Sequence, residues 1–89
     1  MRTIPDTFSK FGDTFTIVCR TKDYCLYSRS GGESYEVMKI SYSPERQIAN
    51  QILEEGEYLP SSEMWGTYAW TYTNYQAAIN KFKLLTGEY

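Results

Sequence analysis

Ser30-Gly31-Gly32-Glu33 separates two short runs, Tyr24 to Arg29 (YCLYSR) and Ser34 to Ser41 (SYEVMKIS), both rich in strand-favouring residues. A Gly-Gly pair reaches positive φ at both central positions without steric cost, and two-residue hairpin turns need that geometry. The pair therefore specifies an antiparallel hairpin and its register, with Leu26 opposite Val37 and Ser28 opposite Tyr35. Upstream, Thr14 to Arg20 (TFTIVCR) alternates around Phe15, Ile17 and Cys19 and predicts a further strand. A Lys22-Asp23 turn would pair Leu26 with Cys19 and Ser28 with Ile17. Phe15, Ile17, Cys19, Leu26, Tyr35 and Val37 then share one face. Thr16, Val18, Arg20, Cys25, Tyr27, Arg29, Glu36 and Met38 share the other. Slipping this turn by one residue would mix apolar and charged groups on both faces, so burial of one face selects the register.

The remaining elements follow from caps and periodicity. Residues 1–12 read as polar and irregular, with Pro5 and Gly12 as breakers. Ser43-Pro44 suits the start of a helix that would carry Ile48, Ile52 and Leu53 and end at Gly56. Residues 61–66 read as one helical turn and Thr67 to Tyr72 (TYAWTY) as a fourth strand. Thr73 and Gln76 match a capping box, and Tyr75, Ala78, Ile79, Phe82 and Leu85 then form one helical stripe, stopped by Gly87. The expected fold is α+β: a four-stranded, mainly antiparallel sheet in the order β-β-β-α-β-α, with helices packed on one face, forming one small globular domain over residues 1–89.

The chain contains no histidine and two cysteines, Cys19 and Cys25. Triads that need histidine, imidazole general bases and His-containing zinc sites are removed, and two cysteines cannot complete a Cys₄ site. Gly31-Gly32 lies in a hairpin and does not precede a helix, so it is no phosphate loop. No catalytic residue, metal or cofactor is therefore expected, and the chain reads as a non-enzyme. No apolar run reaches signal-peptide or membrane-span length, which places the expected setting in the cytoplasm, away from membranes. In the register above the two thiols lie on opposite sheet faces, so both are expected free.

Surface charge supplies the candidate contacts. The net charge is −2, whereas nucleic-acid binders usually carry a basic excess. Glu54, Glu55, Glu57 and Glu63 form an acidic segment that would meet a basic partner. The sheet face with Arg20, Tyr27, Arg29 and Glu36 offers a ring between two arginines, the minimum for stacking single-stranded nucleic acid.

Two stretches carry a resemblance. Tyr35-Glu36-Val37-Met38-Lys39-Ile40, then Pro60-Ser61-Ser62-Glu63-Met64-Trp65-Gly66-Thr67-Tyr68-Ala69-Trp70, then a helix with Ala78 and Phe82, resemble small uncharacterised proteins of bacteriophages and mobile elements, often from Bacteroides-type hosts. There a YEV strand precedes a P-S-x-E-x-(Trp/Phe)-G-x-x-(Ala/Gly)-Trp segment. The likeness spans residues 35–86 and implies a mobile-element setting in a bacterial host cell, with no catalytic residues to carry over. The expected function is a non-catalytic protein-interaction module, a phage-encoded modulator of a host process. A single-stranded nucleic-acid-binding domain is the first alternative and a homo-oligomeric structural protein the second.

Overall fold

The computed structural model describes residues 2–60 and 68–87. Five antiparallel strands form the central sheet: β1 (Thr7–Lys10), β2 (Asp13–Arg20), β3 (Tyr24–Arg29), β4 (Ser34–Lys39) and, from the far end of the chain, β9 (Ala69–Tyr72). Their spatial order is β1-β2-β3-β4-β9. Helix α1 (Tyr75–Thr86) packs on one face. Fold class and antiparallel character agree with the sequence, but strand and helix counts do not: the sheet gains β1, and only one of the two expected full helices forms.

Strand β1 was hidden in the stretch read as irregular. It pairs with β2 through a turn at Phe11 and Gly12, both at positive φ (58° and 79°), the requirement of a type I′ hairpin. The β3–β4 hairpin has the register dictated by Gly31-Gly32, with Leu26 opposite Val37 and Ser28 opposite Tyr35. The β2–β3 pairing starts as expected, Arg20 opposite Cys25 and Cys19 opposite Leu26. A bulge between Ile17 and Cys19 then shifts it, so that Ile17 meets Tyr27 and Phe15 meets Arg29. One extra residue in one strand turns every later side chain to the other face. Phe15 and Ile17 therefore leave Leu26 and join Cys25, Tyr27 and Met38.

The bulge gives the sheet two apolar faces. Under α1 lie Leu26 and Val37, with Cys19, Tyr24, Tyr35, Trp70 and Tyr72 at the margins, against Ala78 and Phe82. The opposite face, expected to be solvated, is a second core of Phe15, Cys25, Tyr27, Met38, Ile40 and Ala69 closed by Ile4, Phe8 and Leu59. Phe8 stacks on Phe15 at 4.8 Å and meets Tyr27 edge-on at 5.0 Å. The two cysteines lie in different clusters as free thiols.

Helix α1 follows the expected stripe, with Ala78 and Phe82 buried and Ile79 and Leu85 packed beside them. Its N-cap is Asn74, one residue beyond the expected Thr73, and the Asn74 side chain accepts from the Ala77 amide at 3.2 Å. Gly87 closes the helix in the left-handed conformation, its N–H donating to the Lys83 carbonyl.

The expected helix from Ser43 to Gly56 does not form. Residues 41–58 fold back as a hairpin arm: β5 (Ser41–Ser43) pairs with β8 (Gly56–Tyr58), and β6 (Arg46–Ile48) with β7 (Gln51–Leu53). Both ladders keep one register across the gap. Pro44 has no N–H to donate, which explains a break at its position. Ala49, at φ 54°, makes the turn at the tip. The helical turn expected at residues 61–66 lies outside the described residues.

Candidate interaction surface

Sequence reasoning pointed to the sheet face of Tyr27 and to the glutamates around residue 55, and the fold treats the two sets differently. Tyr27 is fully buried, and its hydroxyl donates to the Pro5 carbonyl at 2.6 Å. Burial pushes its phenol pKa well above the ordinary value. Glu36 is also fully buried: Oε2 accepts from the Thr71 hydroxyl at 2.6 Å, while Oε1 lies 3.6 Å from Arg29 Nη1 without a hydrogen bond. Burial raises the Glu36 pKa, and Thr71 and Arg29 oppose that rise. Neither side chain can meet a partner without opening the sheet.

The two arginines are committed within the chain. Arg29 donates through Nε and Nη2 to Asp13 Oδ2 at 2.8 and 2.6 Å, and its guanidinium lies 5.4 Å from the Phe15 ring centroid. Arg20 makes a fork to Glu57, Nη1 to Oε1 at 2.7 Å and Nη2 to Oε2 at 2.6 Å. The stacking face inferred from Arg20, Tyr27, Arg29 and Glu36 is thus corrected to a covered core edged by ion pairs, because the bulge in β2 and the N-terminal segment supply its cover.

The acidic segment also divides. Glu57 is neutralised by Arg20, and its Oε1 accepts from the Ile4 amide at 3.2 Å. Hydrogen bonding to Arg20 holds its carboxyl below the ordinary value. Glu54 and Glu55 are exposed on the arm. Glu55 accepts from the Tyr42 hydroxyl, which raises the Tyr42 pKa, and the Glu54 carbonyl accepts from the Tyr58 hydroxyl. Glu63 lies outside the described residues.

The base of the arm is pinned by the N-terminus. The Arg2 amide donates to the Glu55 carbonyl at 2.8 Å, and the Glu57 amide donates to the Arg2 carbonyl at 2.9 Å, a parallel bridge beside Gly56. The Arg2 guanidinium lies 4.7 Å from the Tyr58 ring centroid. Gly56, at φ 148°, is buried against Arg2.

Beyond this anchor the arm is exposed, with Ile52 at 68% and Tyr42 at 58% of full accessibility. Two shallow clefts flank it. One, about 420 Å³, is bounded by Lys22, Asp23, Ile40, Tyr42 and Glu57. The other, about 290 Å³, has apolar walls of Leu53, Tyr58, Leu59 and Pro60, with Ser41, Ser43 and Arg46 at its rim. Arg46, Ile52 and Leu53 were missed as contact candidates because they were assigned to a helix, and Tyr42 because it fell between that helix and the strand before it. The available hint was an apolar set of only Ile48, Ile52 and Leu53, narrow for the buried stripe of a helix.

Among the described residues, no group of three or more His, Cys, Asp or Glu is placed to hold a metal ion. No helix among them is long and apolar enough to cross a membrane. Comparison with protein-family models, with curated proteins and with solved structures finds no match to this chain.

Proposed function

We propose that this chain is a non-catalytic protein-interaction module whose contact element is the hairpin arm of residues 41–58. One observation carries the reading: both faces of the central sheet are covered from within the chain, while the arm holds Ile52 and Tyr42 in solvent. An isoleucine kept that exposed gains little from burial in its own fold, and fully burying such a side chain contributes about 1.5–3 kcal/mol. A short hairpin is marginal by itself, so pinning its base at Arg2 presents a defined shape at low entropic cost. The proposed setting is that of the phage and mobile-element proteins which residues 35–86 resemble, with a host or phage protein as the partner.

The test is co-purification from the native host, comparing the wild-type chain with a variant in which residues 46–53 are replaced by a two-residue Asn-Gly turn. Thermal melts confirm that both are folded. The reading expects a stoichiometric protein partner, or a second copy of this chain, on the wild type and its loss on the shortened arm. Equal recovery on both, or nothing above background on the wild type, would refute it.

A further inference from the structure

The smaller cleft beside the arm combines features that select one ligand chemistry. Its walls are apolar, and Leu59 continues from them into the second core. Among the described residues its rim carries one cation, Arg46, with the hydroxyl-bearing Ser41 and Ser43. Every other arginine near this end of the molecule has a partner: Arg20 is held by Glu57, and Arg2 bonds the Glu57 carbonyl and covers the Tyr58 ring. Arg46 is exposed and makes no ion pair among the described residues, although Glu45 and Glu54 lie beside it in the arm. A guanidinium without an ion pair among the described residues, at the edge of an apolar recess, complements a carboxylate carried next to an aliphatic group.

We propose that this cleft is a peptide-docking site in which an aliphatic side chain of the partner enters between Leu53, Tyr58, Leu59 and Pro60 while its adjacent carboxylate is held by Arg46. The carboxylate is the partner's C-terminal one, carried on the same residue as the aliphatic side chain. The proposal rests on the reading of the arm as the contact element and gives that contact a chemistry. A volume of about 290 Å³ is ample for a side chain of leucine size, and the exposed Ile52 and Tyr42 extend the contact.

The probe is N-acetyl-leucine, which carries both groups, with N-acetyl-leucinamide as the form lacking the charge. Each is titrated into the ¹⁵N-labelled full chain and followed at the amides of Leu53, Tyr58 and Leu59. N-acetyl-leucine is expected to give saturable shifts at these amides in the millimolar range suited to so small a ligand. The amide, and N-acetyl-leucine with the Arg46→Gln variant, are expected to bind about tenfold more weakly, the loss of one charge-assisted bond at a partly solvated site. Arg46 is an exposed arm residue, and an unchanged melt of the variant confirms that the fold is kept. Equal affinity for acid and amide, an unaffected Arg46→Gln variant, or no saturable shift at the cleft overturns the proposal. A failure here combined with partner loss on arm shortening would place the contact on other residues of the arm tip, Ile52 among them, and leave the arm reading standing.

Discussion

Replacing Gly56 with alanine would place a Cβ 2.1 Å from the Arg2 carbonyl oxygen, 2.6 Å from its nitrogen and 2.7 Å from its carbonyl carbon. All three atoms are backbone, so no side-chain rotation relieves the overlap. The N-terminal segment must move off β8, which breaks the two amide bonds between Arg2 and residues 55 and 57. Those bonds are worth about 0.5–1.5 kcal/mol each. Holding alanine at a φ of 148° adds about 1–3 kcal/mol. The expected loss is therefore about 2–6 kcal/mol, set against a total of about 5–15 kcal/mol for a domain. Gly12→Ala is the internal control: its φ is 79° and nothing lies within 4 Å, so it should cost only the left-handed strain of about 1–2 kcal/mol. Urea unfolding of both variants gives the difference, and hydrogen exchange locates it. In Gly56→Ala the Glu57 amide should lose protection while amides within α1 keep theirs relative to global stability. A Gly56→Ala loss no larger than that of Gly12→Ala would refute the role assigned to the N-terminal bridge.

Phe82→Ala should cost about 3–5 kcal/mol in the same unfolding assay, because Phe82 is the largest side chain that α1 inserts against Leu26 and Val37; a loss under about 1 kcal/mol would mean the helix is weakly docked. Burial pushes the Cys25 thiol up to about 12, so Ellman's reagent at mild alkaline pH should label the half-buried Cys19 first and Cys25 only with unfolding; equal rates, or a mass gain of two hydrogens on reduction, would contradict the separation of the thiols. The Glu57 carboxyl is held below its ordinary value by Arg20, so it contributes stability that is fully present above pH 4.5 and is lost as pH falls through the lower folded value. Buried Glu36 has the opposite sign, its raised pKa costing stability as pH rises through that value; Glu57→Gln should therefore flatten the acid limb of a stability–pH profile, and an unchanged limb would discount the Arg20 pair. Single-stranded DNA should show no measurable fluorescence-anisotropy change at about 0.15 M salt, since Arg20 and Arg29 are ion-paired and Tyr27 is buried; low-micromolar binding reduced by Arg20→Ala would overturn that expectation.

Local signals were legible where a short stretch decides its own conformation. Gly31-Gly32 dictated the β3–β4 register, and the apolar repeat from Tyr75 to Leu85 with its terminal Gly87 dictated α1, because both depend on neighbours within a few residues. Stretch 44–56 failed on the same kind of evidence. Pro44 and Gly56 read as helix start and stop, but the proline interrupts a ladder and the glycine admits the Arg2 backbone. Both are long-range facts that no window of sequence contains. The candidate site suffered the same loss, since Arg46, Leu53 and Pro60 come together only when the arm folds back on itself.

What the amino-acid sequence determined by itself was the chemistry left out and the elements with local codes: no imidazole, a glycine-turned hairpin and a capped amphipathic helix. What only tertiary structure decided was which surfaces remain outside. Alternation told that β2 and β3 have two faces, but their cover depended on a one-residue bulge at Val18 and on Ile4 and Phe8 closing over Tyr27. Burial is a property of pairs of distant segments, so a ring and two arginines that look like an open platform in the chain became a core edge. The exposed apolar side chains of the arm stand instead where backbone pairing at Arg2 anchors a short hairpin beside the sheet.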